Sequence, residues 1–193
     1  MTDFNAGSQD ERLALKQLRM KDLTGLDYFI QKDGPKALAA AYLILRDEND
    51  AQDMVENSFV QACEKINQLK SNHFSAWFYR IVINNTLQQA KRSSRQVCFS
   101  ELTPDLLGSA ETIEEIFQTH EPALEDQLEI KQELEKLDCL LSMLSPQQRA
   151  VIVLRHYLEY SENEIAELLS KPKSSIKWHL FDGRNKLRKW REK

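Results

Sequence analysis

The chain has 193 residues, 41% of them hydrophobic and 29% charged, with a net charge of -4. That much apolar material builds compact cores and excludes a disordered chain, and a length near 200 suits one medium domain or two small ones. Three cysteines, Cys63, Cys98 and Cys139, stand in no CxxC or Cys/His spacing, so neither a disulfide framework nor a metal site is signalled and the thiols read as buried. There is no basic-then-apolar leader, and the longest apolar run, Ala37 to Leu45, is too short to cross a bilayer. The expectation is a cytoplasmic protein with no direct membrane insertion.

Only 5 Gly and 5 Pro are present, and Ala, Leu, Gln, Glu and Lys dominate, a mix that predicts an all-α fold. Leu26 to Arg46 carries apolar residues at helical spacing, with a break predicted at Asp33-Gly34-Pro35. Asn49, with Gln52 three residues on, is the expected cap of the next helix. In that helix Ala51, Met54, Val55, Phe59, Ala62 and Ile66 form the inner face, while Asp50, Asp53, Glu56 and Asn57 lie on the other. A polar connection, Lys70 to His73, leads into a third helix from about Ser75 to Arg92. Periodicity then fails between Gln96 and about Pro122, where Thr103-Pro104-Asp105 and Leu107-Gly108-Ser109 read as a linker.

Leu124 to Leu144 is predicted helical. Ser145-Pro146-Gln147-Gln148 combines a Ser cap, a Pro at the first helical position and a Gln at the third, opening a helix to about Tyr157. Ser161-x-x-Glu164 repeats the capping box before a short helix whose Ile165, Ala166, Leu168 and Leu169 face inward, ending near Ser170. Pro172 opens the last helix, with Ile176, Leu180, Leu187 and Trp190 on one side and Lys173, Lys177, Arg184 and Arg188 on the other. Short helix, tight turn and longer basic helix make a helix-turn-helix.

Charge is distributed unevenly. Residues 1–100 carry 13 basic against 12 acidic side chains, residues 101–138 carry 2 against 12, and residues 139–193 carry 11 against 6. The stretch from Lys171 to Lys193 alone has 9 basic residues and 2 acidic ones, enough to neutralise several phosphates. In a helix-turn-helix the second helix fits the major groove, and the candidate contacts are Lys173, Ser174, Lys177, Trp178, Phe181 and Arg184. Against this stands a solvated basic helix that only closes a small bundle. Upstream, Phe74, Trp77, Phe78 and Tyr79 precede Arg80, Lys91, Arg92 and Arg95, a combination that suits unstacked bases. Taken alone, the same aromatics at helical spacing read more often as core than as a base platform.

Two stretches resemble a known family. Asp50-Ala51-Gln52-Asp53-Met54-Val55-Glu56-Asn57-Ser58-Phe59 and Ser75-Ala76-Trp77-Phe78-Tyr79-Arg80-Ile81-Val82-Ile83-Asn84 are similar to region 2 of extracytoplasmic-function sigma factors of bacterial RNA polymerase. Leu144 to Arg155, Glu164 to Leu169 and Ser175-Ile176-Lys177 are similar to region 4. The resemblance implies two small helical domains, residues 1–95 and 126–193, joined by an acidic flexible linker at 96–125. It implies a non-enzymatic initiation factor, without cofactor, whose partners are core RNA polymerase, promoter DNA and an anti-sigma factor. Asp50, Asp53, Glu56 and Asn57 would dock on the polymerase's largest subunit. Asn72, Trp77, Arg80, Asn84, Lys91 and Arg92 would melt and hold the minus-10 element; Lys173, Ser174, Lys177, Trp178, Phe181 and Arg184 would read the minus-35 element.

The chain departs from the family pattern at several positions. Glu56 and Asn57 replace the common Gln and Glu, Ser170 and Ser174 replace glycines, and Trp178-His179 replaces Ser-Arg. A turn without glycine predicts a less sharp bend, and Asp182, where a basic residue commonly faces DNA, predicts repulsion from phosphate unless it accepts from a cytosine amino group. The alternative is a helix-turn-helix regulator with no sigma role. An enzyme is disfavoured: His73, His120, His156 and His179 are scattered, and neither a Gly-rich phosphate loop nor a nucleophile motif occurs.

Overall fold

The computed structural model describes residues 9–70, 73–96 and 136–191, the side chains of 94–96, 190 and 191 excepted. Everything regular among them is helical. α1 spans Gln9–Arg19 and buries Ala14, Leu15 and Leu18. α2 spans Thr24–Leu45, α3 Glu48–Lys65 and α4 Phe74–Gln96, and a single 3-10 turn, Ile66–Gln68, follows α3. α2 packs on α1, α3 and α4, and α3 packs on α4.

α2 runs straight through Pro35, so the predicted break at Asp33-Gly34-Pro35 does not occur. A proline removes one helical N–H and presses on the residue before it. Here that residue is glycine, with no Cβ to clash, and distant contacts hold the segment. The Ser75 hydroxyl donates to the Asp33 carboxylate at 2.9 Å and the Tyr79 hydroxyl lies 3.5 Å from the Asp33 carbonyl oxygen. The helix ends at Leu45, closed by a left-handed Arg46 whose N–H donates to the Tyr42 carbonyl. α3 is capped by Asp47, whose carboxylate accepts from the Asp50 N–H at 2.8 Å. Asn49, the predicted cap, is therefore inside the helix: the turn at Arg46 brings the chain round two residues sooner than the side-chain pattern implied.

The Asp33 side chain is nearly inaccessible, and burial raises its carboxyl above the usual range despite the Ser75 bond. A raised folded-state value means that folding favours the protonated form. The unfavourable contribution of the ionised form is absent at low pH and sets in as pH rises through that value. Asp33→Asn keeps an acceptor for Ser75 and removes the buried charge. Its melting temperature is expected to exceed that of the native chain at pH 8, with the difference shrinking towards pH 4; thermal unfolding at the two pH values checks this.

The core under α2, α3 and α4 is a stack of aromatics. Phe29 lies on Phe74 at 3.8 Å between ring centroids, Phe59 on Phe78 at 4.2 Å, and Phe74 on Phe78 at 5.7 Å. Phe74 and Phe78 are fully buried and Tyr79 nearly so. These three are core, and of the four aromatics considered for base stacking Trp77 alone keeps accessible surface, half-buried against the edge of Phe74. Of the cysteines, Cys63 is half-buried and Cys139 exposed, so the buried-thiol expectation fails at Cys139. Cys98 lies outside the described residues, as do the linker from 97 onward and the first part of the predicted Leu124 to Leu144 helix.

Residues 136–142 are helical. α5 spans Pro146–His156, α6 Glu162–Leu168 and α7 Lys173–Arg191. Both predicted capping boxes form. Ser145 Oγ accepts from the Gln148 N–H while Gln148 Oε1 accepts from the Ser145 N–H, and Ser161 and Glu164 do the same. Those bonds to Ser161 also hold the Glu164 carboxyl below its ordinary range. Ile165, Ile176 and Leu154 are fully buried where α5, α6 and α7 meet.

α5 also lies against α2 and α4. Across that seam the Arg46 guanidinium donates to both carboxylate oxygens of Asp138, at 2.8 and 2.6 Å, and the Lys36 ammonium sits 5.9 Å from the Tyr157 ring centre. Nearby, Arg149 is buried, donates to the Leu141 carbonyl, and is pushed down to about 10 by burial and then by Arg46.

Candidate nucleic-acid interface

α6 and α7 meet at a turn of four residues. Ser170 takes the left-handed conformation, φ 51°, and the Lys171 N–H donates to the Ala166 carbonyl at 2.9 Å. Ser170 thus takes the positive φ that a glycine commonly supplies at a helix end, and the turn closes without one. Serine accepts the modest cost of positive φ because the Lys171 bond and the buried Leu168 secure the helix end.

From that turn α7 presents one continuous surface. Ser174, Lys177, Trp178, Phe181, Arg184 and Arg188 are all exposed, while Ile176, Leu180 and Gly183 face α5. At 100° per residue the six fall within one broad stripe, and Lys173 sits at its margin. All six predicted minus-35 residues are thus on the outer face of α7. An open hollow of about 300 Å³ lies along it, lined by Glu162, Lys177, Phe181, Arg184 and Arg188 among others. Arg184 Nη2 is 3.2 Å from His156 Nε2, a contact that motif reading had no means to find. Burial, then Arg184 and Arg155, holds His156 below the ordinary imidazole range, so at neutral pH its ring nitrogen accepts from the guanidinium.

Asp182 is not on this face. Its carboxylate accepts from Gln148 Nε2 at 2.5 Å, and Lys186 Nζ reaches it at 3.3 Å and Gln148 Oε1 at 3.2 Å. A residue expected to oppose phosphate is a tie between α7 and the capping box of α5. The expected repulsion has no basis in this arrangement.

α4 carries a second surface. Trp77, Arg80, Asn84, Gln88 and Lys91 follow at intervals of three and four, with Arg92 next to Lys91, all exposed apart from half-buried Trp77. The opposite side, Phe78, Val82, Ile83, Thr86 and Ala90, is core. Five of the six predicted minus-10 residues share one stripe; Asn72 lies outside the described residues. On α3, Asp53, Glu56 and Asn57 are exposed, and Gln52 Nε2 donates to Glu56 at 3.0 Å. Asp50 differs: its carboxylate accepts from Gln89 Nε2 at 2.9 Å and Ser93 Oγ at 3.4 Å, which turns it onto α4 and away from the other three. Beside them runs a groove of about 880 Å³ between α2 and α3, with Ile30, Leu38, Val55 and Phe59 as its floor and Glu48 and Glu56 at its rim. Ile30, an apolar residue of this lining, is exposed.

A helical bundle with an exposed basic and aromatic stripe, followed by a helix-turn-helix with a second one, defines a DNA-binding protein of transcription. Comparison with known proteins narrows the class. Residues 29–96 match the family Sigma-70 region 2, and residues 134–187 match Sigma-70, region 4. The chain is 25% identical over 177 residues to the ECF RNA polymerase sigma factor SigW of Bacillus subtilis, covering 91% of this chain and 93% of that one. It is 22% identical to the RNA polymerase sigma-H factor of Pseudomonas aeruginosa, covering 94% of this chain and 93% of that one. Among solved structures it is similar to CnrH in complex with the cytosolic domain of CnrY, with TM-score 0.62, 20% identity and coverage of 95% of this chain and 98% of that one. The sigma factor RpoE of Bartonella quintana, in complex with the anti-sigma factor NepR, gives TM-score 0.57, 22% identity and coverage of 85% and 94%.

The chain belongs to the sigma-70 family of RNA polymerase sigma factors. It directs promoter recognition and transcription initiation.

Proposed function

We propose a division of labour among the three surfaces. Asp53, Glu56 and Asn57, with the groove beside them, dock on core polymerase, Asp50 helping by fixing α3 to α4. The α4 stripe, with Asn72 just before it in sequence, holds unpaired minus-10 bases: Trp77 offers a ring face, and Arg80, Lys91 and Arg92 meet the backbone. Extruding a base costs a few kcal/mol, which stacking at about 1–3 kcal/mol per base offsets. α7 lies in the duplex major groove at the minus-35 element. The protein performs no catalysis of its own and works in the cytoplasm, where the polymerase is.

The observation that carries this reading is the pair of exposed basic stripes on two different helices of one chain, α4 backed by the stack of Phe29, Phe59, Phe74 and Phe78 and α7 by Leu154, Ile165 and Ile176. Minus-10 and minus-35 elements lie about 85 Å apart at about 3.4 Å per base pair. α4 and α7 both abut α5, and packed helix axes sit about 8–10 Å apart, so the two stripes reach their elements together only if the seam at Arg46 and Asp138 opens. Residues 97–135, at about 3.3 Å each, supply the reach. Their acidic composition suits a path through the polymerase toward the RNA exit, as an RNA mimic. An anti-sigma factor is the expected antagonist, a proposal supported by the complexes named above for CnrH and RpoE.

The test is to add the purified chain to bacterial core polymerase and a library of promoter fragments. Initiation from a selected subset is expected; failure to bind core polymerase would defeat the proposal.

A further inference from the structure

Two large apolar side chains of α7 are on the wrong side for a core. Trp178 is 58% and Phe181 67% exposed, although each has a buried neighbour, Ile176 or Leu180, close by on the same helix. Trp178 touches a ring only at His179, 5.1 Å away, and Phe181 makes no ring contact among the described residues. They sit one turn apart, flanked by Lys177, Arg184 and Arg188. Leaving such surface in water forgoes the stabilisation that burial gives an apolar side chain, and nothing among the described residues recovers it.

The flanking cations select a polyanion as the occupant of this face. On a duplex, the major groove offers hydrogen-bonding groups at every base pair and a single apolar group, the C5-methyl of thymine. The polar residues on the stripe are few: Ser174 bonds to any base, and Lys177 and Arg184 prefer guanine or phosphate; of the carboxylates nearby, Asp182 is turned to Gln148 and Lys186, and Glu162 belongs to α6 at the edge of the hollow. We propose that Phe181, assisted by Trp178, determines specificity by packing on thymine methyl groups, so that the minus-35 element of this factor requires thymine at one or two adjacent positions opposite the middle of α7. This rests on α7 being the helix that reads the minus-35 element. The departure Trp178-His179 from the family's Ser-Arg then becomes part of a changed base preference.

The experiment uses the full chain reconstituted with core polymerase on promoters randomised across the minus-35 region. Thymine should be enriched at one or two neighbouring positions. Deoxyuridine, which lacks only the methyl, is then placed at each of those positions in turn. The native chain should lose roughly fourfold in promoter affinity per methyl removed, the worth of one buried CH2 group, while Phe181→Ala should bind the thymine and uracil promoters equally. An unchanged unfolding midpoint for Phe181→Ala would show that the fold is not the cause. Initiation without thymine enrichment, or equal uracil sensitivity of native and Phe181→Ala chains, overturns this inference and leaves the minus-35 assignment standing. Initiation from no member of the library overturns both.

Discussion

Lys177→Ala combined with Arg184→Ala is expected to lower promoter affinity about a hundredfold near 0.1 M salt, and by a similar factor on every promoter the factor uses. Both side chains lie on the outer face of α7 and are exposed, positioned to meet phosphates on either wall of a groove. Each phosphate neutralised releases counterions, so removing one cation from a phosphate should flatten the plot of log affinity against log salt by about 0.9. The double variant should therefore fall by nearly two in slope, with each single variant about halfway. Arg184 has an added role, since His156 holds its guanidinium at 3.2 Å; Lys177 has no such tether. Binding measured from 50 to 300 mM salt gives the slopes directly. An unchanged slope in all three variants would mean that α7 does not lie on phosphate at all.

Phe78→Ala should be the most damaging single truncation in the first helical unit. The ring is 0% exposed and stacks on both Phe59 and Phe74. Removing a buried phenyl group costs about 3–5 kcal/mol through forfeited transfer energy and the cavity left behind, a large part of the roughly 5–15 kcal/mol that holds a typical domain folded. Denaturant unfolding should show a transition abolished or moved far to lower concentration, with α4 and its whole stripe gone as a surface. Binding to core polymerase should fail along with it. The comparison with Phe181 sharpens the point: two phenylalanines in helices of similar length, one removable at no cost to the fold and one not. A mild effect at Phe78 would mean that the aromatic stack is not the keystone of this unit.

Features set by neighbouring residues were legible in the sequence. Ser145 with Gln148 and Ser161 with Glu164 bond within three residues of each other, so both boxes, and the helix-turn-helix that the second one opens, could be read from spacing alone. The stripe on α7 followed from the same periodicity. Features set by distant partners were not. Pro35 stays inside α2 because Asp33 is held by Ser75, 42 residues away. Asp182 and Asp50 looked like free surface charges until Gln148 and Gln89, each more than 30 residues distant, proved to be their partners. The aromatic run from Phe74 to Tyr79 was ambiguous for a related reason: composition specifies that aromatics and cations are close, while only the packing of Phe29 and Phe59 decides which rings face inward.

A DNA-cleaving reagent attached in turn to Gln88 on α4 and to Lys189 on α7, in the chain bound to core polymerase and promoter, measures the central claim most directly. Both sites are exposed, Gln88 within its stripe and Lys189 beside its own. Cuts from α4 are predicted around the minus-10 element on the displaced strand, and cuts from α7 around the minus-35 element in duplex, about 85 Å away along the same promoter. Cuts from both positions at one place, or cuts from only one of them, would contradict a grip at two separate elements.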